Sequence, residues 1–312
     1  MYKILFYIGL AFIVLSLFMY SMDKKNKILS DSKITKIENV RIEGDKLIYK
    51  IENNSLPYKD KLYFSLSDHI NSLENMASQG NVIAQAELGY IYYVGKDIPV
   101  NYEKAEYWLK KSADGDLLVN HQSKNLLAAL YEDKGDINSA IFWYKKTAEN
   151  GFIDSQINLG LLYEKQEQLE EARKWYEVAA NLGSGSGMYY LGLILYKIDN
   201  ENVNKVIELL LKSENSNVLP LIDKKEIEYS LGWLYLNDNK IKSINKAIKL
   251  FESSAQKGFL ESQFILGEIY ETNNQVKDLQ KSQYWYSEAA KQGDKEAMEK
   301  IKLNTLSNTN AR

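Results

Sequence analysis

The chain of 312 residues contains no cysteine. That absence removes disulfides, thiolate nucleophiles and cysteine-ligated metals, and it is compatible with either an oxidising or a reducing compartment. Histidine is nearly as scarce. His69 and His121 lie far apart in sequence and match no ligand spacing, so surface or edge positions are expected for them and no metal or catalytic centre. Only three prolines accompany 45% hydrophobic residues and 23 tyrosines, a balance that suits a packed helical protein with aromatic contacts and not a disordered one. Positive charge is not in excess either: the net charge is −3 with a pI near 5.7, so broad electrostatic attachment to nucleic acid is not expected.

Charge is missing altogether from Ile4 to Met22, ILFYIGLAFIVLSLFMYSM. As a helix this run would extend about 28 Å, against a hydrocarbon core of about 30 Å, so it is expected to span a membrane. A cleaved signal peptide is the competing reading, but LFMYSM lacks the paired small residues of a cleavage site, and an uncleaved anchor over residues 1–22 is preferred. Lys24, Lys25 and Lys27 after the span would keep the rest of the chain cytosolic by the positive-inside rule, whereas the short lysine-bearing lead resembles a secretory start. The extracytoplasmic side is the expectation. Residues 23–60 form a linker in which KIENVRIEGDKLIYKIEN places β-formers on both sides of Gly44-Asp45, a β-hairpin pattern followed by a turn at Pro57. Residues 61–79 supply a leading helix.

Glycine clusters at Gly183-Ser-Gly-Ser-Gly187 and raises the question of a phosphate cradle. Such a loop follows a buried strand, yet the preceding EEARKWYEVAA has helical periodicity. The stretch is instead one copy of a recurring frame: a glycine, three variable residues, then a small residue, as in Gly80/Ala84, Gly151/Ser155, Gly258/Ser262 and Gly293/Ala297. Six Leu-Gly or Leu-Ala landmarks accompany it at Gly89, Ala128, Gly160, Gly192, Gly232 and Gly267, spaced 39, 32, 32, 40 and 35 residues apart. A second set reads Ala105/Trp108/Ala113, Ala140/Trp143/Ala148, Ala172/Trp175/Ala180, Ala247/Leu250/Ala255 and Ser282/Trp285/Ala290, offsets that share one helix side at about 100° per residue. The period fits one helix-turn-helix unit, and such pairs must stack to bury their apolar faces. GSGSG is then an inter-repeat turn.

The pattern small-x-x-x-Leu-Gly-x-x-Tyr followed by Ala-x-x-Trp-x-x-x-x-Ala-x-x-Gly resembles the Sel1-like repeat, a relative of the tetratricopeptide repeat, over about residues 80 to 297. The resemblance implies an all-α fold: a right-handed α-solenoid of about six repeats across residues 61–300, ahead of a polar, frayed tail at 301–312. One copy departs from it. After Gly192 the second helix has Val206 and Leu209 in frame but lacks the third alanine and the closing glycine, so residues 213–225 are expected to be irregular.

Candidate chemistry is thin. Glu167, Glu170 and Glu171 flank Arg173 and Lys174 and read as a solvated helix start with local charge pairs. Trp108, Trp143, Trp175 and Trp285 occupy equivalent repeat positions and are assigned to the core. With no nucleophile–base pair, cofactor or metal site, the expectation is a non-enzyme. By analogy with the tetratricopeptide frame, the resemblance assigns partner-binding roles on a concave face to Tyr90, Tyr93, Tyr189, Tyr196, Tyr229, Trp233, Phe264 and Glu268, with packing between neighbouring helices the equal alternative for the aromatic ones. It implies a protein partner for a scaffold anchored in the inner membrane of a bacterial envelope, its repeats periplasmic. The alternative it implies is an immunity protein that caps a secreted phospholipase effector of type VI secretion. A hydrolase, claimed for some cysteine-rich relatives, is third and disfavoured.

Overall fold

Turn chemistry sets where each helix starts and stops. In the computed structural model, which describes residues 36–43, 46–52, 61–95, 98–115, 117–216 and 222–310, several helices start at an Asn or Asp cap. Asn81 accepts from Ala84 N, Asn101 from Lys104 N, Asp136 from Ser139 N and Asp278 from Lys281 N, each filling an amide that a first helical turn leaves unpaired. The exits between repeats are left-handed: Gly183 has φ +84° and Gly258 +79°, a conformation that costs a residue with a Cβ about 1–2 kcal/mol.

The described residues form two units, Met1–Ser155 and Gln156–Arg312. The first holds an antiparallel sheet of β1 (Lys36–Glu43), β2 (Lys46–Glu52) and β3 (Lys61–Ser65), in that order, with Glu43 opposite Lys46 and Leu47 opposite Phe64. Strand β3 runs straight into α1 (Leu66–Ser78), so the leading helix begins five residues later than the sequence reading placed it. Then follow the pairs α2 (Val82–Val94) with α3 (Tyr102–Ser112) and α4 (Leu118–Asp133) with α5 (Ile137–Ala148). The second unit holds α6 (Ile153–Lys165, its first three residues before the boundary) with α7 (Leu169–Asn181), and α8 (Gly185–Ile198) with α9 (Val203–Glu214). It continues with α10 (Lys224–Asn237) and α11 (Ile244–Gln256), α12 (Leu260–Thr272) and α13 (Leu279–Lys291), and the closing α14 (Lys295–Asn310). Within each unit the described residues from Leu66 onward are helices stacked in pairs, the arrangement of an all-helical repeat. Residues 301–310, read as a polar tail, continue α14, whose sequence contains neither Pro nor Gly.

The span expected at 4–22 and the turn at Pro57 lie outside the described residues, and among the described residues no helix is long and apolar enough to cross a membrane. The departing copy nevertheless forms a helix pair, with Gly192 beside Leu209 and Leu210; Pro220 lies outside the described residues.

The glycine of each Leu-Gly landmark sits under a large side chain of the second helix. A Cβ on Gly267 would come within 2.6 Å of the Tyr286 ring, one on Gly232 within 2.9 Å of Phe251, and one on Gly89 within 2.5 Å of Leu109; Gly160 faces Tyr176 in the same way. These residues correct the tryptophan frame by one position. Leu109, Tyr144, Tyr176, Leu210, Phe251 and Tyr286 are the fully buried large side chains of the second helices. Trp108, Trp143 and Trp175 are half-buried, as is Leu250, and among the four tryptophans only Trp285 is buried. The reason is angular: the residue four after the small Ala or Ser, not three after, points at the glycine across the pair.

Polar side chains pin the pairs at repeating places. Within a pair, a serine in the last turn of the second helix donates to a carbonyl at the start of the first: Ser112 to Val82 O at 3.0 Å, Ser213 to Gly185 O and Ser254 to Lys225 O at 2.7 Å. Between neighbouring repeats, the landmark tyrosine donates to a glutamate of the preceding second helix: Tyr131 to Glu106 at 2.7 Å and Tyr270 to Glu252 at 2.9 Å; Tyr92 bonds Glu74 of α1 likewise. Burial alone would raise the Glu106 carboxyl, but hydrogen bonds from Lys110, Lys134 and Tyr131 outweigh it and hold it at about 2. A carboxyl depressed on folding contributes stability above its unfolded value, near 4.5, and that contribution is lost as pH falls toward about 2. Glu106→Gln is therefore expected to flatten the loss of stability of the first unit across that window in acid titrations followed by circular dichroism; an unchanged acid limb would remove Glu106 as its source.

Candidate interaction surface

The eight side chains assigned to partner binding fall into different environments. Tyr93 is buried, with its hydroxyl donating to Asp133 Oδ2 at 2.7 Å, and Tyr189 is buried with its hydroxyl 3.0 Å from Ser230 Oγ. Each is covered by the first helix of the next pair, and burial raises both phenols. Tyr90 is half-buried in α2. Tyr229 is half-buried against Phe251 and Phe259, ring centroids 5.9 and 5.1 Å apart, and Phe264 is half-buried 5.5 Å from the Tyr286 ring. Glu268 is half-buried near Lys300, Glu271 and Glu296; burial, the largest influence, raises its carboxyl, with Lys300 opposing.

Trp233 differs from these, being 39% exposed on α10. Its ring stands edge-on to Tyr196 at 5.9 Å and 88°, and Tyr196 in turn donates to the buried Asp238 at 3.3 Å. An indole held at its edge by a tethered phenol is a rigid apolar contact that loses little side-chain freedom on binding. Among the eight, the structure sets the rings of Tyr196 and Trp233 edge to face, and Tyr189 lies near enough to Tyr229 to feel its charge.

Other sequence expectations resolve plainly. Arg173 pairs with Glu170 at 2.9 Å and Glu177 at 3.1 Å, and Lys174 with Glu171 at 2.5 Å, the local charge pairs of a solvated helix. His121 is not at the surface: it is 5% exposed and stacked on Phe152 at 4.1 Å, because the turn between α5 and α6 brings Phe152 over α4. Among the described residues no cluster of His, Asp and Glu could hold a metal ion. What the sequence reading missed is a cleft of about 780 Å³ in the first unit, lined by Gln85, Lys110, Lys111, Ala113, Asp114, Gly115, Lys124, Trp143 and Lys146. It also missed a bulky exposed residue before three of the tryptophans, Tyr107, Phe142 and Tyr284.

With stacked pairs and the buried glycine contacts in place, comparison with known proteins decides the family. The Sel1 repeat family model matches residues 82–117, 125–152, 153–184, 228–259 and 260–294. The chain belongs to the Sel1 repeat family. The gap in the match, residues 185–227, holds the departing copy α8–α9, which keeps the Sel1 helix pair although its sequence has lost part of the pattern. Among solved structures it is similar to a Sel1 repeat protein from Oxalobacter formigenes (22% identity, 76% of this chain and 69% of that one, TM-score 0.59). It is similar also to c5321, a protective antigen present in uropathogenic Escherichia coli strains that displays an SLR fold (23% identity, 74% of this chain and 50% of that one, TM-score 0.59). A third is the C-terminal part of a TPR repeat-containing protein from Cytophaga hutchinsonii (13% identity, 75% and 93%, TM-score 0.51). At these identities the likeness is one of fold, and the chain spans half the length of c5321. No match was found among curated proteins. A Sel1, TPR-like array is a scaffold of the kind typical of protein–protein interaction and generally without catalysis.

Proposed function

We propose that this Sel1 repeat chain is a non-enzymatic interaction scaffold of the bacterial cell envelope, anchored in the inner membrane by residues 4–22 with its repeats on the periplasmic side, and engaging a protein partner through first-helix side chains of the second unit. The observation that carries the reading is Trp233: an exposed indole backed by Tyr196, at a repeat position where packing within the pair does not need it. The uncharged stretch of residues 4–22 supports the anchor, and the linker up to β3 spaces the repeats from it.

Two measurements test the proposal. Trp233→Ala is expected to weaken capture of the cognate partner by roughly 2 kcal/mol, about thirtyfold, with little change in melting temperature. Tyr229→Ala serves as the packing control and is expected to lower the melting temperature instead. Equal recovery of the same partner by wild type and Trp233→Ala would reject this face. In cells, the full chain is expected to sediment with membranes and its repeats to be cut by protease once the outer barrier is permeabilised; repeats protected until the inner membrane is opened would place them in the cytosol. Recovery of a phospholipase with the wild type would narrow the role to neutralising an effector.

A further inference from the structure

The lysine-lined cleft belongs to the first unit, whereas Trp233 belongs to the second. Four lysines line it from three helices: Lys110 and Lys111 of α3, Lys124 of α4 and Lys146 of α5. In a chain of net charge −3 this convergence is a local reversal of sign. Lysines in the last turn of α3 and α5 complement the negative ends of those helices, which explains their sequence positions. That account does not cover Lys124, which sits inside α4, is 8% exposed, and donates to Gly115 O at 2.8 Å in the cleft wall. Nor does it explain where the charges of Lys111 and Lys146 go. Lys110 is shared with Glu106 at 2.7 Å, but the contacts of the other two are aromatic: Lys111 lies 5.3 Å from the Tyr107 ring, and Lys146 lies 4.5 Å from Phe142 and 5.3 Å from Trp143. Asp114 is the one carboxylate among the described lining residues.

We propose that this cleft binds an acidic peptide segment of a protein partner, its carboxylates taken by Lys111 and Lys146 and an aromatic side chain seated against Trp143. The proposal rests on the scaffold reading above but not on the Trp233 face. A recess of about 780 Å³ is far larger than an isolated inorganic anion and is within the size range of organic ligand sites. Trp143 gives the lining an apolar component that a bare phosphate would leave unused, and ammonium groups held over rings are positioned before the ligand arrives.

The test uses the full chain in detergent and a fluorescently labelled glutamate-rich peptide with one central tryptophan, followed by anisotropy. Binding is expected to weaken with added salt, to fall about tenfold or more in the double variant Lys111→Gln/Lys146→Gln, and to be lost with the glutamine counterpart of the peptide. Trp143→Ala should erase the preference for the tryptophan peptide over its alanine counterpart. Trp233→Ala should leave peptide binding unchanged, so that failure of one face is told apart from failure of the other. Equal affinity of the double variant and the wild type overturns the proposal, as does equal affinity for the glutamine peptide. Complete displacement by an equal concentration of inorganic phosphate would show a simple anion site. Lysine-dependent binding of phosphatidylglycerol vesicles with no binding of the peptide would show a membrane-facing patch. Either outcome overturns the peptide.

Discussion

Tyr176→Ala is expected to destabilise the second unit by about 3 to 5 kcal/mol, and Trp175→Ala by clearly less. Tyr176 has no exposed surface, lies against Gly160, stacks on Tyr190 at 5.2 Å and donates to Glu164 at 3.2 Å, so truncation opens a cavity and strands a partner at once. Trp175 is half-buried, and solvent already reaches part of the surface that alanine would vacate. Urea unfolding followed by helical circular dichroism measures both variants on one scale. The comparison matters because a large aromatic residue in a repeat motif is easily taken for its core. If Trp175→Ala proved the more damaging of the two, the frame in which residue four after the small Ala faces the glycine would be wrong in α7, and with it the packing drawn for Tyr144, Phe251 and Tyr286.

The repeat itself was legible because its punctuation is local. Glycines that exit a helix left-handed and small residues that open the next recur at fixed offsets, and no knowledge of distant contacts is needed to see them. The one-residue error at the tryptophans arose where two adjacent large residues, Trp and then Tyr or Leu, both fit an amphipathic stripe. Which of them meets the glycine depends on how the two helices cross, which no single helix encodes. The same limit applies at Tyr93 and Tyr189: the frame placed them outward, and Asp133 and Ser230, about one repeat later, close over their hydroxyls. Strand β3 escaped notice because KLYFS is a short apolar alternation abutting a helix start, a pattern that length alone does not assign. The lysine cleft was illegible for a different reason. Lys110, Lys124 and Lys146 sit on three helices, and each by itself is an ordinary charged residue.

Gly187→Val is expected to be more harmful than any change at the neighbouring glycines of GSGSG, at about 3 kcal/mol for forced overpacking. A Cβ at Gly187 would approach Ala180 N at 2.6 Å and the Ala179 carbonyl carbon at 2.7 Å. These are backbone atoms at the end of α7, so no rotamer change relieves the contact. Gly183 tests a different property: it has φ +84°, and Gly183→Ala should cost about 1–2 kcal/mol from backbone conformation. At Gly185 a Cβ would come within 3.1 Å of Ser213 O, an intermediate case. Equivalent positions elsewhere carry the small buried residues Ala84, Ser155, Ser262 and Ala297, so glycine at 187 marks the copy in which the incoming helix comes too close for even a methyl group. Three amides of the stretch are already engaged: Gly183 N bonds Ala180 O at 2.9 Å, Ser184 N bonds Ala179 O at 3.1 Å, and Gly187 N bonds Ser184 Oγ at 3.0 Å. A nucleoside triphosphate is accordingly expected to leave the melting temperature of the wild type unchanged, while Gly187→Val lowers it and Gly183→Ala lowers it less. A tolerated valine at 187 would mean that α7 and α8 do not approach through this glycine, and a thermal shift with nucleotide would restore the phosphate-loop reading of the same five residues.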